Sequence, residues 1–520
     1  MSSGRPLQIH KRVINPPCPN KLGQGGILLG KRKPMFYNAL LLTAVNLLLR
    51  FISTSFQVYL SGKIGSEGIG LLQLVLSVGT LAMTAGMGGI RTATMYLCAE
   101  AIGQKRQHNI IWILSGCIMY SVVLSVSVGF LLYRFAPMIA SVWIGSSSSV
   151  NAVRILAFFL PINCLCAVLV GCYTGLNRVG TLAAVEIAEQ LITMVITVAL
   201  LSIWAGHSTE KACQAVIMGS GLGGSFTLIV LTLLKIKEKV KEARRISIKK
   251  KLWETAVPLA IADNIKAGIS TTENLMVPKR LALFPGETSP LAAFGMVCGM
   301  VFPVLMFPAS ILFGLTELLI PEMARCRAAK SEERIKHLTE RSMLLALLYG
   351  CLWGGIFQLR ADSLCINLYK TPAAGHYLQR FGMLTPMLYC DAITDAITKG
   401  LGQQKLCVRY NIITSAMDVV LLFLLLPKYG MEGYYVSFLL THMINFLLST
   451  RLLRKLTGKI MPLRTVLLTL AITIFSILVA SQSGRLLQIP VFLTGFSALA
   501  ILLGIVNRKD FKWLVGLIQR

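Results

Sequence analysis

Charged side chains are scarce in this sequence of 520 residues, where they make up 14% of the total; about 25% is typical of soluble globular proteins. Acidic residues are the scarcer kind, since 22 Asp and Glu stand against 51 Lys and Arg. Hydrophobic side chains reach 55%, which is more than one soluble core can bury. These proportions exclude an ordinary soluble enzyme and a disordered chain. They favour a membrane protein with basic loops over a nucleic-acid-binding protein.

The sequence also lacks the patterns of several kinds of site. Its 13 cysteines are scattered, and the close pair Cys164 and Cys166 has no second pair or histidines at the spacing of zinc ligands. Residues 25–31 (GGILLGK) resemble part of a phosphate-binding loop, but Arg32 stands where a Mg²⁺-binding Ser or Thr is required. No nucleophile elbow occurs. We therefore predict a protein that is not an enzyme and uses no metal or cofactor.

Long hydrophobic segments are what the sequence does have. Fourteen of them approach the roughly 20 residues that cross the hydrocarbon core of a bilayer as a helix. Their predicted cores are 35–60, 69–97, 110–132, 153–173, 183–205, 213–234, 254–278, 292–322, 342–359, 381–399, 410–426, 433–450, 463–481 and 489–506. The predicted fold class is an all-α membrane protein of about fourteen transmembrane helices.

The charges of the loops predict the orientation in the membrane. Residues 1–34 are basic and contain no signal peptide, so the first span is expected to direct its own insertion. With the N-terminus inside, cytoplasmic segments hold 36 Lys and Arg and outer loops hold 11. This bias places both termini in the cytoplasm. The basic segment 235–253 joins two spans, and contact with the anionic inner leaflet explains its charge better than nucleic acid does.

An internal repeat of about 220 residues divides the chain. Pro161 is followed after thirteen residues by Gly175-Leu176, and Pro386 is followed at the same spacing by Gly400-Leu401. Six spans in each half, running in parallel, predict two pseudo-symmetric lobes. This architecture is typical of a transporter that works by alternating access, and no channel filter sequence is present.

The predicted organisation has five parts. They are the basic segment 1–34, an N-lobe at 35–234, the linker 235–253, a C-lobe at 254–450, and two further helices with a short tail at 451–520.

Polar side chains within the spans indicate an aqueous cavity. In the first span the polar side chains share one helical face. They are Thr43, Asn46, Arg50, Ser53, Thr54 and Gln57. The second and seventh spans have similar faces, which include Arg91 and Lys266. A charge at mid-bilayer costs about 2.5–3.5 kcal/mol, so each is a functional candidate. Either these faces line one cavity between the lobes, or they form hydrogen bonds between helices.

The two halves differ in the sign of their buried charges. Arg50 and Arg91 have no acid near them in the sequence of the first half, so we predict that they bind an anion. Lys266, Asn46 and Gln57 are further candidates for this site. Acids in the second half are candidates for a coupling cation, H⁺ or Na⁺, or for structural ion pairs such as Asp395 with Lys399; they are Asp263, Glu273, Asp391, Asp395 and Asp418.

Several segments resemble one family. The run LSGKIGSEGIGLLQL at 60–74 is similar to the turn after the first span in the polysaccharide-exporter branch of the multidrug/oligosaccharidyl-lipid/polysaccharide (MOP) flippase superfamily. Within that branch it is most like the stage V sporulation protein B group, which is related to the lipid II flippase MurJ. Similar segments follow at 88–100, 169–180, 307–324 and 397–405, and the resemblance covers 36–460.

The resemblance implies a V-shaped, two-lobed, MATE-like bundle in a bacterial plasma membrane. Such a protein moves a lipid-linked, undecaprenyl-pyrophosphate-type oligosaccharide or peptidoglycan precursor from the inner to the outer leaflet, for cell-wall or spore-cortex synthesis. Its partners are this substrate and membrane lipids, with no nucleic acid. The oligomeric state is left open, a monomer included.

The resemblance also implies roles for particular residues. Arg50 and Arg91 match the places of cavity cations that hold the pyrophosphate, and Lys266 substitutes for a cation missing from the eighth span. A family Na⁺ site between spans seven, eleven and twelve maps onto Asp263, Asp418 and Thr441.

Two other functions remain open from the sequence. The first is a cation-coupled multidrug antiporter of the same fold, which should present acids rather than arginines in its first half. The second is a scaffold that transports nothing and holds a wall-synthesis or spore-coat assembly at the membrane. Polar faces inside the bilayer would serve no purpose in such a scaffold.

Overall fold

The computed structural model describes residues 35–104, 109–204, 208–236, 249–458 and 460–506. The basic segment 1–34, the phosphate-loop-like run within it and most of the linker and tail lie outside these residues. The α-helices are α1 (Met35–Met87), α2 (Ile90–Gly103), α3 (Ile110–Arg134), α4 (Ala136–Met138), α5 (Val150–Gly175), α6 (Val179–Trp204), α7 (Thr209–Ile236), α8 (Lys249–Leu281), α9 (Pro290–Met296), α10 (Phe302–Ala328), α11 (Glu332–Tyr369), α12 (Ala373–Gly382), α13 (Thr385–Gly400), α14 (Gln404–Thr457), α15 (Leu463–Ser481) and α16 (Gln488–Leu502).

These helices account for all fourteen predicted spans and confirm the all-α fold class. The ranges α1 and α14 each consist of two helical segments that meet at a glycine, and the second predicted span continues from α1 into α2. The chain changes direction at Gly65 (φ 69°) and at Gly430 (φ 57°). Glycine adopts such positive φ angles readily because it has no Cβ. The seventh helix of the bundle, α8, begins at Lys249, so the last residues of the predicted linker are helical.

The apolar composition of the helices is that of a multi-pass membrane protein. Within the described residues, nine helical stretches are long and apolar enough to cross a bilayer. Helix α8 is not among them, and α13 is only 16 residues long. These two more polar helices carry Asp263, Lys266 and Glu273 on α8, and Asp391 and Asp395 on α13.

The internal repeat is visible in the backbone. Both helices that carry it end at the repeated glycine, α5 at Gly175 and α13 at Gly400. Two residues after each of these glycines the backbone adopts a left-handed conformation, at Asn177 (φ 57°) and at Gly402 (φ 76°). The repeated sequence therefore specifies the same helix end in both lobes.

Each repeated glycine also allows a close approach between helices. A Cβ at Gly400 would lie 2.7 Å from the carbonyl oxygen of Ile320 and 2.7 Å from Cβ of Met323, both on α10. A Cβ at Gly175 would lie 2.6 Å from the carbonyl oxygen of Met95 on α2. The helix pairs α5–α2 and α13–α10 are thus equivalent contacts of the two lobes.

Replacing Gly400 by alanine is therefore expected to destabilise the C-lobe by about 1–3 kcal/mol, since the added methyl group forces α13 away from α10. Thermal unfolding of the detergent-purified protein measures this as a lower Tm. Gly180→Ala is the matched control, because nothing lies within 4 Å of a Cβ at that position in α6. Equal Tm values for the two variants would contradict the close packing of α13 on α10.

The lobes meet mainly through α1. The largest hydrophobic core crosses from one lobe to the other and includes Leu72 and Val75 of α1 with Phe294 of α9, each at most 1% exposed. Glycines bring the backbones together there, because a Cβ at Gly70 or at Gly295 would overlap a carbonyl oxygen of the facing helix. By the predicted orientation this seam lies toward the outer side.

Candidate functional site

The three predicted cavity cations lie on helices of both lobes. Arg50 is on α1, Arg91 on α2 and Lys266 on α8, and all three side chains are exposed. Helices α1 and α8 pack against each other between the lobes, where the hydroxyl of Thr271 donates to the carbonyl oxygen of Ser77 at 3.1 Å. Among the described residues, neither Arg50 nor Lys266 has an ion-pair partner. Both cations are therefore free to bind an anion.

Arg91 differs from the other two cations. It lies within electrostatic range of Glu186 on α6 of the same lobe. The expectation that no acid of the first half stands near Arg91 is thus wrong. Packing of α6 in the lobe, rather than distance along the chain, brings Glu186 close to it. Arg91 is the weaker candidate because part of its charge is compensated.

The two polar candidates of α1 form hydrogen bonds between the lobes. Asn46 donates to the Glu317 carboxylate of α10 at 3.2 Å. Gln57 donates to the carbonyl oxygen of Gly299 at 3.1 Å. These contacts correspond to the interpretation in which polar faces join helices. Asn46 lies one helical turn from Arg50, so the Asn46–Glu317 contact is next to the candidate anion site.

Two acids of the C-lobe, the buried Asp418 and the half-buried Glu273, form a cluster between α8 and α14. Asp418, which is 7% exposed, accepts hydrogen bonds on Oδ1 from the hydroxyls of Ser437 at 2.5 Å and Thr441 at 3.3 Å. Glu273 of α8 lies within electrostatic range of Asp418. Two neighbouring carboxyl groups repel each other when both are charged. The pair is therefore a candidate for binding a cation or a proton.

Asp263 does not join this cluster. It is exposed and lies ten residues before Glu273 on the same helix, a separation of roughly 15 Å along the axis. The expected grouping of Asp263 with Asp418 and Thr441 is therefore corrected. Glu273 supplies the acid from α8, because it faces α14 at the depth of Asp418.

The remaining two acids lie in a cavity of the C-lobe with a volume of about 400 Å³. Asp391 and Asp395 of α13 line it together with Lys399, His442 and other residues. Asp395 pairs with Lys399 at 2.5 Å, one turn further along α13, as their spacing predicts. Asp391 accepts a hydrogen bond from Asn445 of α14 at 2.9 Å.

Acids at the ends of α2 and α10 form different kinds of ion pair. Glu100 of α2 pairs with Lys251 of α8 at 2.5 Å and so connects the two lobes on the predicted cytoplasmic side. Glu322 of α10 pairs with Arg325 at 3.4 Å and with Arg334 at 2.5 Å, both within the C-lobe. Because Arg325 is engaged in this way, α10 adds no cation to the candidate anion site.

Comparisons with known proteins agree with this architecture. The chain is similar to stage V sporulation protein B of Bacillus subtilis (strain 168), with 23% identity over 436 residues, 82% of this chain and 83% of the relative. The structure is similar to the lipid II flippase MurJ in an inward closed conformation, with a TM-score of 0.68, 13% identity and coverage of 89% of this chain and 98% of that one. It is also similar to an inward-facing multidrug resistance MATE family transporter, with a TM-score of 0.63, 13% identity and coverage of 81% and 98%. The fold is therefore similar to that of these two transporters, the second of which is named a member of the MOP superfamily. No family model matches the chain.

The similarity of fold and the similarity of sequence together confirm the resemblance that the sequence segments indicated. Together with the apolar helices, they support a multi-pass membrane protein. Both solved structures are of transporters, and the two differ in the kind of cargo that their names state.

The structure also shows polar residues of α14 that the sequence analysis missed. Ser437, Thr441 and Asn445 follow one another at intervals of four on α14, and His442 is adjacent to them. Only Thr441 was a candidate. The spacing that revealed the polar face of α1 was present here as well. Applying it to the twelfth span would have identified Ser437 and Asn445.

Proposed function

We propose that this protein flips a lipid-linked sugar pyrophosphate, an undecaprenyl-pyrophosphate-type oligosaccharide or peptidoglycan precursor, from the inner to the outer leaflet. It does so by alternating access between the two lobes, in cell-wall or spore-cortex polysaccharide synthesis. The observation that carries the proposal is the pair of exposed cations Arg50 and Lys266, one from each lobe, without ion-pair partners among the described residues. The names of the relatives, one a sporulation protein and one a lipid II flippase, support the same substrate class.

The mechanism follows from the charges. Arg50 binds the pyrophosphate through charge-assisted hydrogen bonds, which guanidinium groups form in parallel pairs with phosphate oxygens. Lys266 adds a second cation from the other lobe, so the head group bridges the lobes while the lipid tail stays in the bilayer. A head group with two negative charges that leaves a cell at 100 mV, negative inside, gains about 4–5 kcal/mol. The membrane potential then supplies part of the driving force for export.

A second candidate function is a cation-coupled multidrug antiporter. The closeness of Glu273 to Asp418 favours it, since two neighbouring acids are suited to bind a coupling proton or cation. The similarity to an inward-facing MATE transporter is a further argument. We place this candidate second because both free cations, Arg50 and Lys266, would repel a cationic drug.

The test uses the purified full chain in lipid vesicles with three cargoes. These are a fluorescent undecaprenyl-pyrophosphate-linked sugar, the same sugar joined to undecaprenol through a neutral linker, and a cationic dye. We expect the pyrophosphate lipid to cross, faster with an imposed potential that is negative on the side it leaves. The neutral lipid should cross the bilayer only at the slow rate that is measured in vesicles without protein. Transport of the dye without flipping of the pyrophosphate lipid would overturn the proposal and favour the antiporter.

A further inference from the structure

An exposed acid of the C-lobe contacts the N-lobe beside the candidate anion site. Glu317 of α10 accepts a hydrogen bond from Nδ2 of Asn46 on α1 at 3.2 Å, and both side chains are exposed. In the part of the chain that the structure describes, no cation forms an ion pair with Glu317. A carboxylate that faces hydrocarbon is costly, which assigns this contact to water-accessible space between the lobes. Because Asn46 is neutral, it holds the carboxylate in place without cancelling its charge.

Arg50 lies between this contact and a second contact of the same two helices. Phe51 follows Arg50 in the chain, and its ring meets the ring of Phe307 on α10 with the centroids 6.2 Å apart. Asn46 precedes Arg50 by one helical turn, roughly 6 Å along the axis of α1. By the predicted orientation α1 runs outward. The contact of Asn46 with Glu317 therefore lies on the cytoplasmic side of Arg50, and the aromatic contact lies on its outer side.

The carboxylate of Glu317 opposes an anion on Arg50 when the cytoplasmic contact is closed. Asn46 and Arg50 share one face of α1, so the two negative groups are about one to two helical turns apart. At this separation, with an effective dielectric constant of about 20, each pair of unit charges changes a binding equilibrium by about tenfold or more. Closure of the contact lowers the affinity for the anion. By reciprocity, a bound anion weakens the contact by the same factor.

We propose that Glu317 is the residue that releases the anionic cargo, because closure of the Asn46–Glu317 contact places its negative charge beside the head group held by Arg50. The proposal rests on the proposed function and adds a residue for its release step. When the lobes are open to the cytoplasm, Glu317 is away from α1 and Arg50 binds the pyrophosphate strongly. Closure weakens this binding while it shuts the cytoplasmic path, so the head group leaves on the outer side.

A purely structural hydrogen bond between the lobes predicts something different. Such a bond needs only an acceptor on α10, and the amide oxygen of glutamine is one. Glu317→Gln therefore keeps the hydrogen bond with Asn46 and removes the charge. A structural role leaves the affinity for an anion unchanged in this variant, whereas the release role raises it.

The first test is independent of transport and uses inorganic pyrophosphate as the probe with the detergent-purified full chain. Calorimetry at low ionic strength is expected to show binding at least about tenfold tighter in Glu317→Gln than in the wild-type protein. The difference should shrink as salt is added, because salt screens exposed charges. Glu333→Gln is the matched control, since Glu333 is an exposed glutamate at the start of α11, outside the contact of α1 with α10. A misfolded variant cannot mimic a gain in affinity.

Two further variants separate the charge of Glu317 from its hydrogen bond. Asn46→Ala keeps the charge and frees the carboxylate to move away, so it should tighten pyrophosphate binding less than Glu317→Gln does. The double variant should bind like Glu317→Gln alone, because the two changes act on one contact. Binding of wild-type strength in Glu317→Gln, with binding lost in Arg50→Gln, would overturn the release role. So would equal tightening in Glu317→Gln and Glu333→Gln, because the effect would then come from overall charge.

The second test measures release during transport. In vesicles, Glu317→Gln is expected to flip a pyrophosphate lipid with a maximal rate about tenfold lower and to reach half of that rate at a lower cargo density. A lower maximal rate at an unchanged half-saturating density would mean a structural defect and would overturn the proposal. Failure of the wild-type protein to flip the lipid, with pyrophosphate binding that depends on Arg50 and Glu317 as expected, would instead overturn the proposed function.

Discussion

Flipping of a pyrophosphate lipid is expected to fall roughly 10- to 100-fold when Arg50 is replaced by glutamine. Glutamine keeps the length and a hydrogen-bond donor but removes the charge and the paired N–H groups that hold a phosphate. Arg50→Lys should retain part of the rate, because it keeps the charge without the paired geometry. The measurement is the initial rate of flipping in vesicles that contain equal amounts of each variant.

Arg464→Gln is the control for this change, since Arg464 is an exposed arginine at the start of α15, away from the lobe contact. Its flipping rate should equal that of the wild-type protein. Lys266→Gln tests the second lobe in the same assay and should give a loss of similar size. Wild-type rates in both Arg50→Gln and Lys266→Gln would show that the anion is bound elsewhere.

The second large effect is expected for Asp418→Asn, which should make flipping insensitive to the coupling ion and slow it at least about tenfold. Asparagine still accepts from Ser437 and Thr441, so the packing of α14 is kept. The variant removes one negative charge of the Glu273–Asp418 pair, and with it much of the repulsion that favours binding of a proton or cation. Initial rates are measured with an imposed Na⁺ gradient and, separately, with an imposed pH gradient.

Ser437→Ala is the companion variant, because it removes the donor at 2.5 Å from Asp418 and leaves both carboxyl groups in place. It should keep the response to the ion and require a higher ion concentration. Asp362→Asn controls for a loss of charge outside the cluster. A response of Asp418→Asn to Na⁺ or pH that equals that of the wild-type protein would contradict a coupling role for the cluster.

Much of the architecture was predictable because it depends on composition. Segments of about 20 apolar residues can only be helices in a bilayer, where every backbone polar group must be bonded within its own segment. The repeat of Pro and Gly-Leu was informative for a local reason, since Gly175 and Gly400 end helices and face a neighbouring backbone. The sharp bend at Gly65 was not predictable, because a glycine in such a sequence either ends a helix or only bends it.

The site was less predictable because it depends on contacts between distant segments. Asp263 and Glu273 lie on the same polar face of α8, and the sequence alone cannot show which of them is at the depth of Asp418. Glu186 is 95 positions from Arg91 in the sequence, yet the two interact electrostatically. Asn46 and Gln57 were sensible candidates by residue type, and their bonding partners on the other lobe became visible only in the fold.

The two seams between the lobes differ in what can loosen them. The ion pair of Glu100 with Lys251 has side chains that are 39% and 54% exposed, and such pairs contribute about 0–1 kcal/mol and weaken as ionic strength rises. The seam at Gly70 and Gly295 is a close backbone contact between uncharged groups, which salt does not screen. In the resting state the cytoplasmic seam should therefore open readily by thermal motion, whereas the outer seam stays shut. The resting protein would then be open toward the cytoplasmic side. Binding of the proposed cargo would supply the free energy that opens the outer seam.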